Sequence, residues 1–154
     1  MARIDWQWKR FAELAPQELY ALLAARAAVF VVEQACVFLD FDGLDPSAWH
    51  LLGWAAEAEG PTLAAYLRLI DPGRKYPEPS IGRVLTSAPF RGAGLGRAAM
   101  REGLGRAAVL YPGRAIRIAA QQRLERFYTE FGFRTVSAPY VEDGIAHLEM
   151  LLDP

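Results

Sequence analysis

The sequence predicts an α/β domain of the α+β type: a mixed central sheet of about seven strands flanked by helices, spanning residues 1–154 as one unit. Three observations predict it. Strand and helix signals run in the order β-α-β-β-β-α-β-α-β-β. A glycine-rich loop, Arg91-Gly92-Ala93-Gly94-Leu95-Gly96, joins a central apolar strand to a helix. With 53% hydrophobic and 23% charged residues, the chain has the composition of a folded domain with a real core, not of a disordered one.

From Ile4 to Phe11, Ile4, Trp6 and Trp8 alternate with polar neighbours, the period of a half-buried strand. Pro16 suits a first helical position and Glu18 the first turn, while Leu19, Leu22, Leu23, Arg26 and Phe30 keep helical spacing. That helix is expected to end near Val29. The β-branched run Val29-Phe30-Val31-Val32 then reads as irregular or strand-like through Glu33 and Gln34. Residues 35–48, rich in Asp, Gly and Pro, read as a loop. Trp49 to Glu57 and Thr62 to Leu69 are strands joined at Gly60-Pro61. After a proline-rich loop come a strand from Ser80 to Ser87 and a helix from Gly94 to about Leu110. Ala115 to Ala120 is a short strand. Leu124 to Phe131 fits a helix closed by Gly132 as a left-handed cap. Arg134 to Tyr140 and Ala146 to Leu152 are the last two strands.

No apolar run is long enough to cross a bilayer, and the Met1–Trp6 stretch has the character of neither a signal nor a transit peptide. Cys36 is the single cysteine, so no internal disulfide can form. A cytoplasmic monomer or homodimer is expected, without a metal and without a membrane partner. The net charge of −1 argues against general nucleic-acid binding. Its distribution is uneven: residues 81–126 hold nine arginines against Glu102 and Glu125, while the segments on either side are acidic. A basic stretch around a glycine loop suits an anionic ligand, and acidic flanks suit a cationic substrate.

A glycine loop that opens a helix offers unpaired N–H groups and a positive dipole end, a good match for phosphate. The dinucleotide pattern G-x-G-x-x-G fails, because the third position counted from Gly92 is Arg97. The Gly-Lys-Ser/Thr of a P-loop is absent. What remains is Arg-x-x-Gly-x-Gly after a strand.

Four stretches add to that loop. They are Val29 to Gln34 followed by Asp40-x-Asp42-Gly43; His50-Leu51-Leu52-Gly53-Trp54; Ile81-Gly82-Arg83-Val84; and Ala120-Gln121 with Phe127-Tyr128-x-x-Phe131-Gly132-Phe133 and Tyr140-x-Glu142-Asp143-Gly144-Ile145-x-His147. In order and spacing they resemble the GNAT family of N-acetyltransferases, in its ElaA-like branch, over nearly the whole chain. Members tend to have histidine where this chain has Arg123.

The resemblance implies the GNAT fold, acetyl-CoA as cofactor, and a central strand splayed from its neighbour. The backbone of Val84, Leu85 and Thr86 on that strand would bind the pantetheine arm and meet the oxyanion near Leu85. Arg91, Gly92, Ala93, Gly94, Leu95, Gly96 and Arg97 would hold the pyrophosphate, and Gln121, Leu124, Phe127 and Tyr128 the opposite side. Tyr128 would protonate the departing thiolate; the plainer reading is a core aromatic packed with Phe127, Phe131 and Phe133. The acceptor, a small cationic amine or a peptide's lysine or N-terminal amine, would meet Glu33, Gln34, Asp42, His50, Glu142, Asp143 and His147. Glu33 and His147 rank first as general base, ahead of His50, Glu142 and Asp143, while His50 and His147 each also fit a plain structural role. Cys36 reads as a buried, inert thiol. The expected activity is acetyl transfer to an amine by direct attack in a ternary complex; the alternative is a non-catalytic acyl-CoA binding or sensing module.

Overall fold

The structure is a computed structural model and describes residues 3–154. Its spine is strand β3 (Thr62–Ile70), buried at every position from Leu63 to Ile70. Such a run arises when both faces of a sheet are covered. Helix α1 (Pro16–Arg26) covers one face, where Leu22 packs with Leu52, Leu63, Tyr66 and Leu85. Helix α2 (Leu95–Leu110) covers the other, where Leu51, Ala65, Leu67 and Leu69 meet Ala99, Met100 and Ala107. Gly103 makes that second contact possible, since a β-carbon there would lie 2.9 Å from the Leu67 side chain.

Strands β1 (Ile4–Arg10), β2 (Trp49–Ala55), β3 and β4 (Ser80–Thr86) form an antiparallel half-sheet. Strands β5 (Ile116–Gln121), β6 (Arg134–Thr135), β7 (Tyr140–Glu142) and β8 (Ile145–Leu152) form a second, in which β8 pairs with all three others. The eight strands make one sheet in the order β1-β2-β3-β4-β5-β8-β6, with β7 also on β8. The halves join where β4 and β5 run parallel, and there they share a single rung, Ser80 opposite Arg117. Beyond it the two strands part, as the expected splay requires.

Three expectations change. Residues 29–34 are neither irregular nor strand: Ala27–Glu33 continues α1 as a π-helix, with Gln34 N–H donating to the Val29 carbonyl and Cys36 N–H to that of Val31. β-branching lowers helix propensity only slightly, and burial of Val29 and Phe30 on the α1 side outweighs it. The helix expected over 124–131 is a 3₁₀ turn, Gln122–Leu124, followed by a short α3 (Glu125–Thr129). The strand expected over 134–140 is broken into β6 and β7, with Pro139 in the gap, so the sheet has eight strands among the described residues and not seven.

Candidate active site

A cleft of about 790 Å³ opens where β4 and β5 part. One wall is the free edge of β4. The Ser87 N–H donates to the Ala64 carbonyl at 2.9 Å, which sets the phase of the β3–β4 ladder. Backbone direction alternates along a strand, so Leu85 turns to Tyr66 on β3, while Val84 and Thr86 turn to the cleft. The Thr86 carbonyl, on that side, accepts from Arg91 Nε at 3.1 Å. The Leu85 N–H is therefore turned to β3, and the backbone groups near it that face the cleft are those of Val84 and Thr86. Leu85 itself is 4% exposed, its side chain in the α1-side core.

β4 also carries a bulge. Tyr66 faces Leu85 but Arg68 faces Gly82, so Leu67 spans two residues, Arg83 and Val84. Arg83 sits at φ +54, the left-handed region that side chains avoid.

After β4 the chain reaches the glycine loop. Gly92 and Gly94 have φ of +87 and +77, and Gly94 is the N-cap of α2. No side chain caps that helix end, so its first N–H groups are left for an anion. Thr86, Arg91, Gly92, Gly94, Leu95, Gly96, Arg97 and Phe127 line a pocket around them. The two arginines are less free than expected. Arg91 makes a two-pronged pair with Glu33 (2.5 and 2.8 Å), and Arg97 one with Glu130 (2.9 and 3.1 Å).

The opposite wall comes from the end of β5 and the turn into α3. Gln121 donates to Gln34 across the cleft at 3.1 Å and accepts from Arg123 at 3.0 Å. Arg123, Leu124, Phe127 and Tyr128 follow along this wall. The Tyr128 ring packs edge-on against Phe127 (5.1 Å) and Phe133 (6.2 Å), and the residue is 8% exposed. Its hydroxyl makes no hydrogen bond within the chain among the described residues. Burial pushes the phenol up to about 12, so it stays protonated at neutral pH. The ring thus belongs to the packed core, as the plainer expectation has it, while the residue also lines the cleft.

At the far end the cleft is lined by Cys36, Phe38, Asp42, Arg68, Lys75, Glu142, Asp143 and His147. His147 faces Gln121 across β5–β8 and stacks on Tyr140. Its Nδ1 lies 2.7 Å from the Ile145 carbonyl, so in the neutral ring Nδ1 carries the proton and Nε2 the lone pair. Glu33 is a poorer base, because the hydrogen bond from Arg91, with the charges of Arg91 and Arg123, holds it below the ordinary carboxylate range. Cys36 is buried as expected, its thiol donating to the Asp143 carbonyl at 3.2 Å.

His50 departs from its expected place by the acceptor. It is fully buried and does not line the cleft. Its Nε2 donates to the Asp45 carbonyl (3.0 Å), and its Nδ1 therefore accepts from the Tyr66 hydroxyl (2.6 Å). Burial lowers its pKa, so it is a neutral structural histidine. The acidic loop also reads differently. Asp40 and Asp45 are buried, and Asp40, Asp42 and Asp45 are matched by Arg26, Arg68 and Arg83. Of the acids expected to draw a cationic acceptor, Asp42, Glu142 and Asp143 line the cleft; Asp42 is paired with Arg68 and Arg83, which leaves Glu142 and Asp143, and Lys75 opposes them.

A family model described as the acetyltransferase (GNAT) domain matches residues 49–154. The chain belongs to the GNAT family. It is 39% identical to protein ElaA of Escherichia coli over 149 residues, covering 96% of this chain and 95% of that one. The crystal structure of E. coli ElaA superposes with a TM-score of 0.89 at 37% identity, over 98% of this chain and 100% of that one. An acyl-CoA N-acyltransferase from Pseudomonas aeruginosa does so with a TM-score of 0.89 at 41% identity, over 97% and 99%. These GNAT relatives support the fold of an acyltransferase using acyl-CoA. Among the described residues, no helix is long and apolar enough to cross a membrane.

The site fits an acyl-CoA on its own geometry. The uncapped helix end and the two left-handed glycines suit a pyrophosphate, the free β4 edge suits an amide-bearing arm, and the cleft volume lies within the usual ~300–1,000 Å³ of ligand sites. Sequence reasoning missed Arg68, Lys75 and Arg83. Arg68 left a signal, a lone charge in the apolar run Thr62–Ile70; a left-handed arginine leaves none.

Proposed function

We propose that this GNAT protein transfers an acetyl group from acetyl-CoA to an amine by direct attack in a ternary complex. The observation that carries the reading is the parting of β4 and β5 after one shared rung, with Tyr128 on one wall and the Val84 backbone on the other. Acetyl-CoA supplies an acetyl thioester, whose carbon accepts the amine nitrogen while the C–S bond breaks. The α2 end and Gly92–Gly96 would hold the pyrophosphate, and the β4 edge the pantetheine. The Val84 N–H would donate to the thioester carbonyl oxygen. His147 Nε2, directly or through water, would take the proton the amine must lose, and the Tyr128 hydroxyl would give one to the sulfur. A cationic acceptor is favoured by Glu142 and Asp143 alone.

Calorimetric titration with acetyl-CoA, followed by an amine screen read by CoA release, tests this. Binding with turnover supports it, binding without turnover on any amine points to a sensing module, and no binding overturns both. On a responsive amine, His147→Gln should lower kcat by about 10²-fold, within the range of positioned proton transfer. Glu33→Gln should cost less.

A further inference from the structure

The bulge that aims the Val84 N–H rests on a residue in an unfavourable backbone conformation. Holding a non-glycine residue in the left-handed region costs about 1–2 kcal/mol, and a bulge or register can slip when little pins it. Arg83 is pinned by Asp40 twice: its Nε donates to Asp40 Oδ1 at 2.7 Å and its Nη2 to the Asp40 carbonyl at 3.1 Å. Asp40 is 5% exposed and held from behind. Arg26 of α1, fully buried, donates through Nε to Asp40 Oδ2 at 3.0 Å and through Nη2 to the same carbonyl at 3.1 Å. The Phe38 ring lies 5.7 Å from the Arg83 guanidinium carbon. One buried carboxylate therefore ties the bulge to the helix on the α1 face.

We propose that Asp40 is a positioning residue: through Arg83 it locks the β4 bulge and so fixes where the Val84 N–H points. This rests on the acetyl-transfer reading, because it gives the bulge its task. An exposed ion pair would contribute little, but in this one the carboxylate is buried and the guanidinium partly so, the contact is made to side chain and backbone alike, and it ends on the strained residue.

The test exploits glycine, which adopts positive φ without strain. Arg83→Ala, Arg83→Gly and Asp40→Asn are compared in the full chain for kcat, for KM of acetyl-CoA, and for the Val84 amide resonance in ligand-free protein by NMR. Arg83→Ala and Asp40→Asn should lower kcat by ~10²-fold, the cost of roughly 1 Å of misplacement. Their KM should change far less, and their Val84 resonance should move. Arg83→Gly, which lacks the ion pair but not the backbone conformation, should return the resonance toward its wild-type position and recover most of the lost kcat. Equal loss in the glycine and alanine variants overturns the proposal, as does a wild-type Val84 resonance in Asp40→Asn. If Asp40→Asn does not fold, the two Arg83 variants decide. If the wild type shows no turnover, the functional reading fails by itself, and the resonances still show whether Asp40 holds the bulge.

Discussion

At the scale of single residues, Tyr128 carries the sharpest expectation. Its ring is part of the core and its hydroxyl is unbonded within the described chain, so the two roles can be separated. Tyr128→Phe removes the oxygen and keeps the contacts with Phe127 and Phe133. Melting temperature and acetyl-CoA affinity should barely change, while kcat falls by about 10²-fold. Steady-state rates and a melting curve on one sample check this; an unchanged kcat removes Tyr128 as the acid, and a large stability loss returns it to the core. His50 shows the opposite case. Its two ring nitrogens are both used inside the protein, so nothing is left for a substrate.

At the scale of elements, the glycine loop predicts a paired result. Gly94 has φ +77, and a β-carbon there would meet no protein atom within 4 Å; Gly113, past the end of α2, has φ +71 and is equally open. Valine at either site should cost a similar ~1–2 kcal/mol of backbone strain. Gly94→Val should in addition weaken acetyl-CoA by tenfold or more, about 1.4 kcal/mol in binding, because its side chain fills the pyrophosphate space. Calorimetry beside melting curves on both variants separates strain from binding; equal affinities would remove the pyrophosphate assignment. This loop was legible because glycine spacing and a helix start are local signals. So were β1 and β3, through alternation at Ile4–Trp8 and continuous apolar character in Thr62–Ile70, whereas the break between β6 and β7 was not. The π-helical stretch Ala27–Glu33 was not, because its reason is burial of Val29 and Phe30 against residues far along the chain. Nor was the pairing of Asp40, Asp42 and Asp45 with Arg26, Arg68 and Arg83, since charge counted along a sequence does not show which ions meet.

At the scale of the whole molecule, the buried ionic network makes stability depend on pH in two stages. Burial depresses the His50 pKa, so the fold keeps it neutral while the unfolded chain protonates near ~6.5. Stability should start to fall as pH drops below that value. Burial alone would raise Asp42 and Asp45, but hydrogen bonds and charge from Arg68 and Arg26 outweigh it and hold both below the ordinary range. Their contribution is present above the unfolded value of ~3.9 and is lost as pH falls toward their lower folded values. Urea midpoints measured from pH 8 to pH 2.5 should show both declines. His50→Gln should remove the upper one and keep the lower; a single decline unaffected by that substitution would contradict the assignment.

The one shared rung between β4 and β5 places a free edge in the middle of an eight-stranded sheet. Amide hydrogen exchange should register this as an alternation along a single strand. Leu85 and Ser87, turned to β3, should exchange slowly, with Ser87 held by the Ala64 carbonyl. Val84 and Thr86, one residue away in the same strand, should exchange like the border of a sheet. Saturating acetyl-CoA should slow Val84 and Thr86 and leave Leu85 and Ser87 as they were, so that the strand's protection becomes even only when the arm lies along it.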